Sequence, residues 1–182
     1  MFGLNMIVNK GKTVFVGDTS VHEYPSSEQL AEIAIYSARV VRLFGFNPKV
    51  AFVSHSTFGQ PLTSRTKHIK NAVNILKERN VDFKFDGDMQ PDVALNDEYK
   101  ELYPFSEIVG NANILIMPGQ HSAAISYKMM RELGGAKVIG PLLIGLGQPI
   151  EIAPLRSSTS DILNLASVAA YSAGVISYNK KN

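Results

Sequence analysis

Residues 49–63 read KVAFVSHSTFGQPLT, a short apolar run that ends in hydroxyls, a glycine and a proline. Lys49–Ser54 follows the Asn47-Pro48 breaker and predicts a strand with apolar residues on both faces, the pattern of a strand covered on both sides. His55–Thr63 predicts a polar loop, and Ile69, Ala72, Val73 and Leu76 then recur at helical spacing. The same alternation extends in both directions. Upstream, Lys12–Asp18 predicts a strand, and Pro25, Ser26 and Ser27 supply the turn and cap of a helix buried through Leu30, Ile33, Ala34, Ala38 and Val41 and ended at Gly45. Downstream, Phe83–Phe85 leads into a loop, DGDMQPDVALN, at 86–96. Asn113–Met117 predicts a central strand, turned by Pro118-Gly119 into a helix with Ile125, Met129 and Leu133 on its buried side. Gly134 and Gly135 are placed to end that helix in the left-handed conformation. Lys137–Leu146 and Pro149–Ile152 predict edge strands or a strand pair, and Ser157–Thr159 can cap a last helix running through Ile162, Leu165 and Ala173. The order predicts an α/β fold, a mostly parallel sheet with helices on both faces.

With 182 residues, the chain fits one domain, alone or with an appendage, and is long enough to bury about 70% of its unfolded surface. Hydrophobic residues make up 45%, too many for a disordered chain. The absence of Cys excludes disulfides, a Cys nucleophile and thiolate metal sites, and fits a reducing compartment; a cytoplasmic location is expected. Val138–Ile150 is apolar, but it is interrupted by Gly and Pro and falls short of the about 20 residues a membrane helix needs. The N-terminus lacks the pattern of a secretory signal. Eighteen basic against 16 acidic residues give a net charge of +2, and apart from Lys180 and Lys181 there is no basic run. Neither nucleic acid nor membrane is an expected partner. Arg65, Lys67, His68 and Lys70 form the densest basic patch, which reads as solvated surface or as a contact for an anionic ligand.

Ligands of an open parallel sheet gather beyond the carboxyl ends of its strands, which directs attention to four loops. Ser54, Ser56, Thr57 and Gly59 could bind an anion through hydroxyls and backbone amides, or could simply cap. Asp86, Asp88 and Asp92 fit a turn with solvated carboxylates or a functional loop; the calcium-loop pattern is incomplete. His121, after Pro118-Gly119, could serve as acid or base or be structural. Arg156 and Asp161 could pair as anion ligand and base, or Asp161 could cap a helix amino end. The GxSxG, HExxH, GxGxxG and Walker patterns are absent.

The ordered set AFVSHSTFG, DGDMQPDVALN, YPFSEIVGNANILIMPG, ISYKMMRELGGAKVIGPLLIGLGQPI and STSDILNLA resembles the phosphate acetyl/butyryltransferase family, and in particular the phosphotransacetylase-like C-terminal domain fused to bacterial NADP-dependent malic enzymes. The resemblance runs from about Lys12 to Ala173. It implies the second subdomain of an isocitrate or isopropylmalate dehydrogenase-like fold at 1–149, with 150–182 crossing back to complete a first subdomain, most of which is missing. It also implies acetyl-CoA as ligand, contacted by Ser54, Ser56, Thr57, Gly59, Asp86, Gln90, Arg156 and Ser158, with Asp161 matching the transferase Asp that assists thiol deprotonation. NADP and a Mg or Mn ion would belong to the missing malic enzyme part, together with its oxidative decarboxylation of malate; no cofactor is implied for this chain itself. Two departures bear on activity. Phe58 stands where transferases carry a Lys, and in ungapped register Pro154 and Leu155 stand at the Ser and Arg of Ser-Arg-Gly-Cys, with Arg156 one residue away. The implied function is an inactive, acetyl-CoA-sensing and oligomerising domain; the alternatives are an active acyltransferase using Asp161 and Arg156, and an unrelated small α/β binding protein.

Overall fold

The run at 49–53 is buried because it lies in the middle of a sheet. Val50, Ala51 and Phe52 are at most 1% exposed, and alternate residues face two separate cores. The structure, a computed structural model, describes residues 1–108 and 110–179; Lys180 and Lys181 lie outside the described residues. Its strands are β1 (Phe2–Asn9), β2 (Lys12–Gly17), β3 (Lys49–Val53), β4 (Lys84–Met89), β5 (Ile114–Ile116), β6 (Lys137–Ile144) and β7 (Ile150–Glu151). The helices are α1 (Ser27–Leu43), α2 (Ser64–Glu78), α3 (Pro91–Leu95), α4 (Asp97–Lys100), α5 (Gln120–Gly134) and α6 (Thr159–Asn179).

The sheet order is β4-β3-β5-β2-β1-β6-β7. Strands β4, β3, β5 and β2 are parallel, and β1 is antiparallel to both β2 and β6, so β6 runs in the common direction and only β1 and β7 oppose it. On one face, Phe15, Val50, Phe52, Ile114 and Ile116 pack against α1, α2 and Leu165 of α6. On the other, Val16, Ala51, Val53, Leu115 and Met117 pack against α3 and Ala123 of α5. The expected layering of helices on both faces is present. Ser26 caps α1 in a reciprocal box with Gln29, and Gly135 ends α5 at φ 62°, as the sequence predicts.

Three local readings differ. Strand β1 is new: its Phe2, Leu4 and Met6 sit in one core and Ile7 in the other, and the Lys10-Gly11 turn (φ 48° and 77°) joins it to β2. The expected loop at 86–96 is β4 to Met89 followed by α3, because Asp86 and Asp88 are buried and satisfied within the fold and Pro91 opens the helix. The buried side of α5 is Ala123 with Tyr127 and Met130, whereas Ile125, Met129 and Leu133 are 57%, 54% and 83% exposed. Two apolar stripes share this helix, and the sheet takes the one led by the small Ala123.

Candidate functional site

At the carboxyl end of β3, the chain is held by a carboxylate that the sequence reading treated as part of a turn. Asp88 is 2% exposed; its side chain accepts from the Ser56 hydroxyl and, at 2.9 Å, from the Gly59 N–H. Its backbone carbonyl accepts from Phe58 N–H at 2.7 Å, while Ser54 N–H donates to the Met89 carbonyl at 2.9 Å. Gln90 N–H donates to Thr57 Oγ1 at 3.2 Å, and Gln90 Nε2 donates to the His55 carbonyl at 3.1 Å. Asp86 accepts from Gly87 N–H at 2.9 Å, Ser106 Oγ at 3.0 Å and Glu107 N–H at 2.8 Å, which fastens the 106–107 segment to β4. Ser54, Ser56, Thr57, Gly59 and Gln90 therefore do converge on one region, bonded within the loop and to the Asp88–Gln90 segment, whereas Asp86 is bonded to the 106–107 segment instead. The cluster is a hydrogen-bonded platform beside which His55 is exposed. The Asp86/Asp88 spacing of two, which suits a half-buried strand better than a turn, was the available signal for Asp88.

Arg156, Ser158 and Asp161 lie elsewhere. Asp161 Oδ2 accepts from Ser158 N–H at 2.9 Å and Ser158 Oγ at 2.7 Å, and Ser158 Oγ in turn accepts from Asp161 N–H at 3.2 Å, a reciprocal cap on α6. The Ser158 hydroxyl, then its N–H, hold the Asp161 carboxyl below the usual Asp range. A cavity of about 800 Å³ beside it is lined by Tyr127, Arg131, Lys137, Arg156 and Asp161. Glu132 also lines it and pairs with Arg131 at 2.8 Å, so Lys137 and Arg156 are the cations that suit an anionic ligand such as a phosphate. Lys137 opens β6, and its Nζ donates to Ser160 Oγ at 3.3 Å, so this site sits at the amino end of the common strand direction. Ser54 lies at the carboxyl end. The candidate residues thus form two groups at opposite ends of the sheet, because β7 returns the chain before α6 starts.

Comparisons with known proteins agree on the kind of chain this is. The sequence pattern of the family described as phosphate acetyl/butaryl transferase matches residues 1–170. The chain is 48% identical over 174 residues to the NADP-dependent malic enzyme of Rhizobium meliloti (strain 1021), covering 96% of this chain and 23% of that protein. It is 35% identical over 166 residues to the phosphate acetyltransferase of Bacillus subtilis (strain 168), covering 90% of this chain and 51% of that protein. A phosphotransacetylase structure from Streptococcus pyogenes superposes with a TM-score of 0.88 at 31% identity, over 94% of this chain and 53% of that one. The chain spans about a quarter of the malic enzyme's length and half of the transferases'.

Proposed function

Since the chain belongs to the phosphate acetyl/butyryl transferase family, we propose that it is the C-terminal, transferase-inactive, acetyl-CoA-sensing and assembling domain of an NADP-dependent malic enzyme. The observation that carries this reading is the 48% identity to a malic enzyme along almost the whole chain. Two features of the chain support loss of the transferase chemistry. Phe58 replaces the Lys of the transferase loop, and Asp161 is bonded to its own helix cap with its basicity lowered, which makes it a weaker acceptor for a thiol proton. Malate oxidation with NADP and Mg or Mn belongs to the N-terminal part of the longer protein. In this reading residues 1–149 form the second subdomain and 150–182 complete the first. Acetyl-CoA occupies the cavity around Lys137 and Arg156, with Ser158 bonded to the lining Asp161. Copies associate through exposed apolar surface on α6 and in Val138–Ile150, where Ile150 is 49% exposed.

The second reading, an active phosphate acyltransferase, is favoured by the same cavity, since Arg131, Lys137 and Arg156 surround the one carboxylate that matches the family's base. One experiment separates the two: the native polypeptide is sized with antibody against this chain, then purified and assayed. The first reading expects a polypeptide several times 182 residues long, with NADP-dependent malate oxidation that responds to acetyl-CoA and no acetyl phosphate formed from acetyl-CoA and phosphate. Acetyl phosphate formation that Asp161→Asn abolishes, without malate oxidation, would establish the second.

A further inference from the structure

The sheet has a crossover point that the acyl-CoA reading does not use. Strands β3 and β5 are neighbours, yet their following segments leave to opposite faces: β3 continues into α2, whose Ile69 and Leu76 lie in one core, and β5 into α5, whose Ala123 lies in the other. Where adjacent parallel strands part in this way, a crevice opens beyond their carboxyl ends. A cavity of about 490 Å³ is present at this point, lined by Val53, Ile69 and Met117 below and by His55, Arg65 and His121 above. That volume falls in the usual range for small-molecule sites.

The rim carries one fixed cation, Arg65, and one carboxylate, Glu23, with the His55, His68 and His121 rings beside them. Arg65 lies 5.9 Å from the centroid of the Tyr24 ring, and among the described residues no carboxylate pairs with its guanidinium. The acidic lining residue, Glu23, is already held by His121 Nε2 at 3.0 Å. Helix α5 turns its amino end here with no side-chain cap; its Gln120 N–H donates to the His22 carbonyl at 3.3 Å, a Cβ on Gly119 would come within 2.6 Å of the Glu23 carbonyl oxygen, and the next residues of the first turn, His121 and Ser122, line the cavity. The His68 ring is tied to the Pro25 carbonyl at 2.8 Å and to Ser27 Oγ at 3.1 Å and serves as wall.

We propose that this crossover cavity binds a small organic anion, its phosphate or carboxylate on Arg65 and the α5 amino end, its flat apolar body on Val53, Ile69 and Met117. The site lies at the opposite end of the sheet from Asp161 and shares Ser54 with the residues that the resemblance assigns to acetyl-CoA, but it does not depend on acetyl-CoA occupying the cavity around Arg156. It takes up Arg65 from the basic patch that the sequence reads as solvated surface or as a contact for an anionic ligand.

The test follows the imidazole signals of the 182-residue chain, which has four histidines, by NMR during titration with 1-naphthyl phosphate. The His55 and His121 signals are expected to move saturably, whereas His22, held by Asp18 at 2.7 Å, stays in place. Arg65→Gln weakens binding about tenfold or more, and Arg65→Lys less. Both substitutions are tolerated because Arg65 is exposed on the first turn of α2. His121→Gln also weakens binding, by freeing the Glu23 carboxylate. No saturable shift, an equal response to uncharged 1-naphthol, or affinity unchanged in Arg65→Gln would overturn the proposal.

Discussion

Asp18 shows how much one side chain can hold in this fold. It is 1% exposed, and its carboxylate accepts from the N–H groups of Gly3 at 2.9 Å, Ser20 at 2.8 Å, Val21 at 3.1 Å and His22 at 2.7 Å, besides the His22 ring. It thereby ties the start of β1 to the loop that leaves β2. Asn in its place offers one oxygen instead of two and turns an amide N–H₂ toward other donors. Asp18→Asn is expected to cost about 2–4 kcal/mol, read as a lower denaturant midpoint at unchanged slope. Asp88 has a parallel role for Ser56 and Gly59, and Asp88→Asn is expected to loosen the 54–60 loop, seen as faster amide exchange at Gly59. The spacing of Asp86 and Asp88 hints at a strand, but the bonds that Asp18 and Asp88 make were not legible in the sequence. An Asp in a turn and an Asp that ties two segments together look alike until the distant N–H donors are in place.

At the scale of elements, β7 and α6 enclose a carboxyl that titrates within the working range. Burial pushes Glu151 up to about 7, only partly offset by the bond from Leu143, and its Oε2 is buried with no hydrogen-bond partner. A group with a raised folded-state value stabilises the fold fully below its unfolded value of 4.5, and that stability is lost as the pH rises through about 7. Half-exposure limits the effect to about 1–2 kcal/mol. Melting at pH 5 and pH 8 is expected to show the loss, and Glu151→Gln to remove most of it and to be the more stable protein at pH 8. The elements themselves were largely legible: the runs at 12–18, 49–54 and 113–117 are strands, and the caps at Ser26 and Gly135 are where the residue types place them. Strand β1 was not, since its partner β6 is distant in sequence and its two-sided apolar pattern carries no helical or alternating signature. The side of α5 was misread for a different reason: Ala123, Tyr127 and Met130 and Ile125, Met129 and Leu133 are both helical stripes, and periodicity alone cannot choose between them.

For the whole molecule, the apolar surface left outside the cores is the main prediction. Leu163 and Ile162 on α6 are 62% and 51% exposed, and Leu133 and Met129 on α5 more than half. Isolated apolar side chains on a surface are ordinary, but helix-length stripes mark surfaces meant to be covered. Light scattering at high concentration is expected to give at least twice the 19.9 kDa chain mass, and Leu163→Glu combined with Leu133→Glu to return it to the monomer value. A monomer in the unsubstituted chain would remove the assembling role from the proposed function. The position of β1 has a further consequence, for synthesis. One edge of this strand is filled by β2 almost at once, but the other waits for residues 137–144. At ordinary elongation rates that edge stands open for on the order of ten seconds on the ribosome, with Phe2, Leu4 and Met6 uncovered. Nascent chains stalled before β6 should therefore be the ones that chaperones hold and that aggregate when released, so that the cell's success in making this domain is decided late, by the arrival of a single strand.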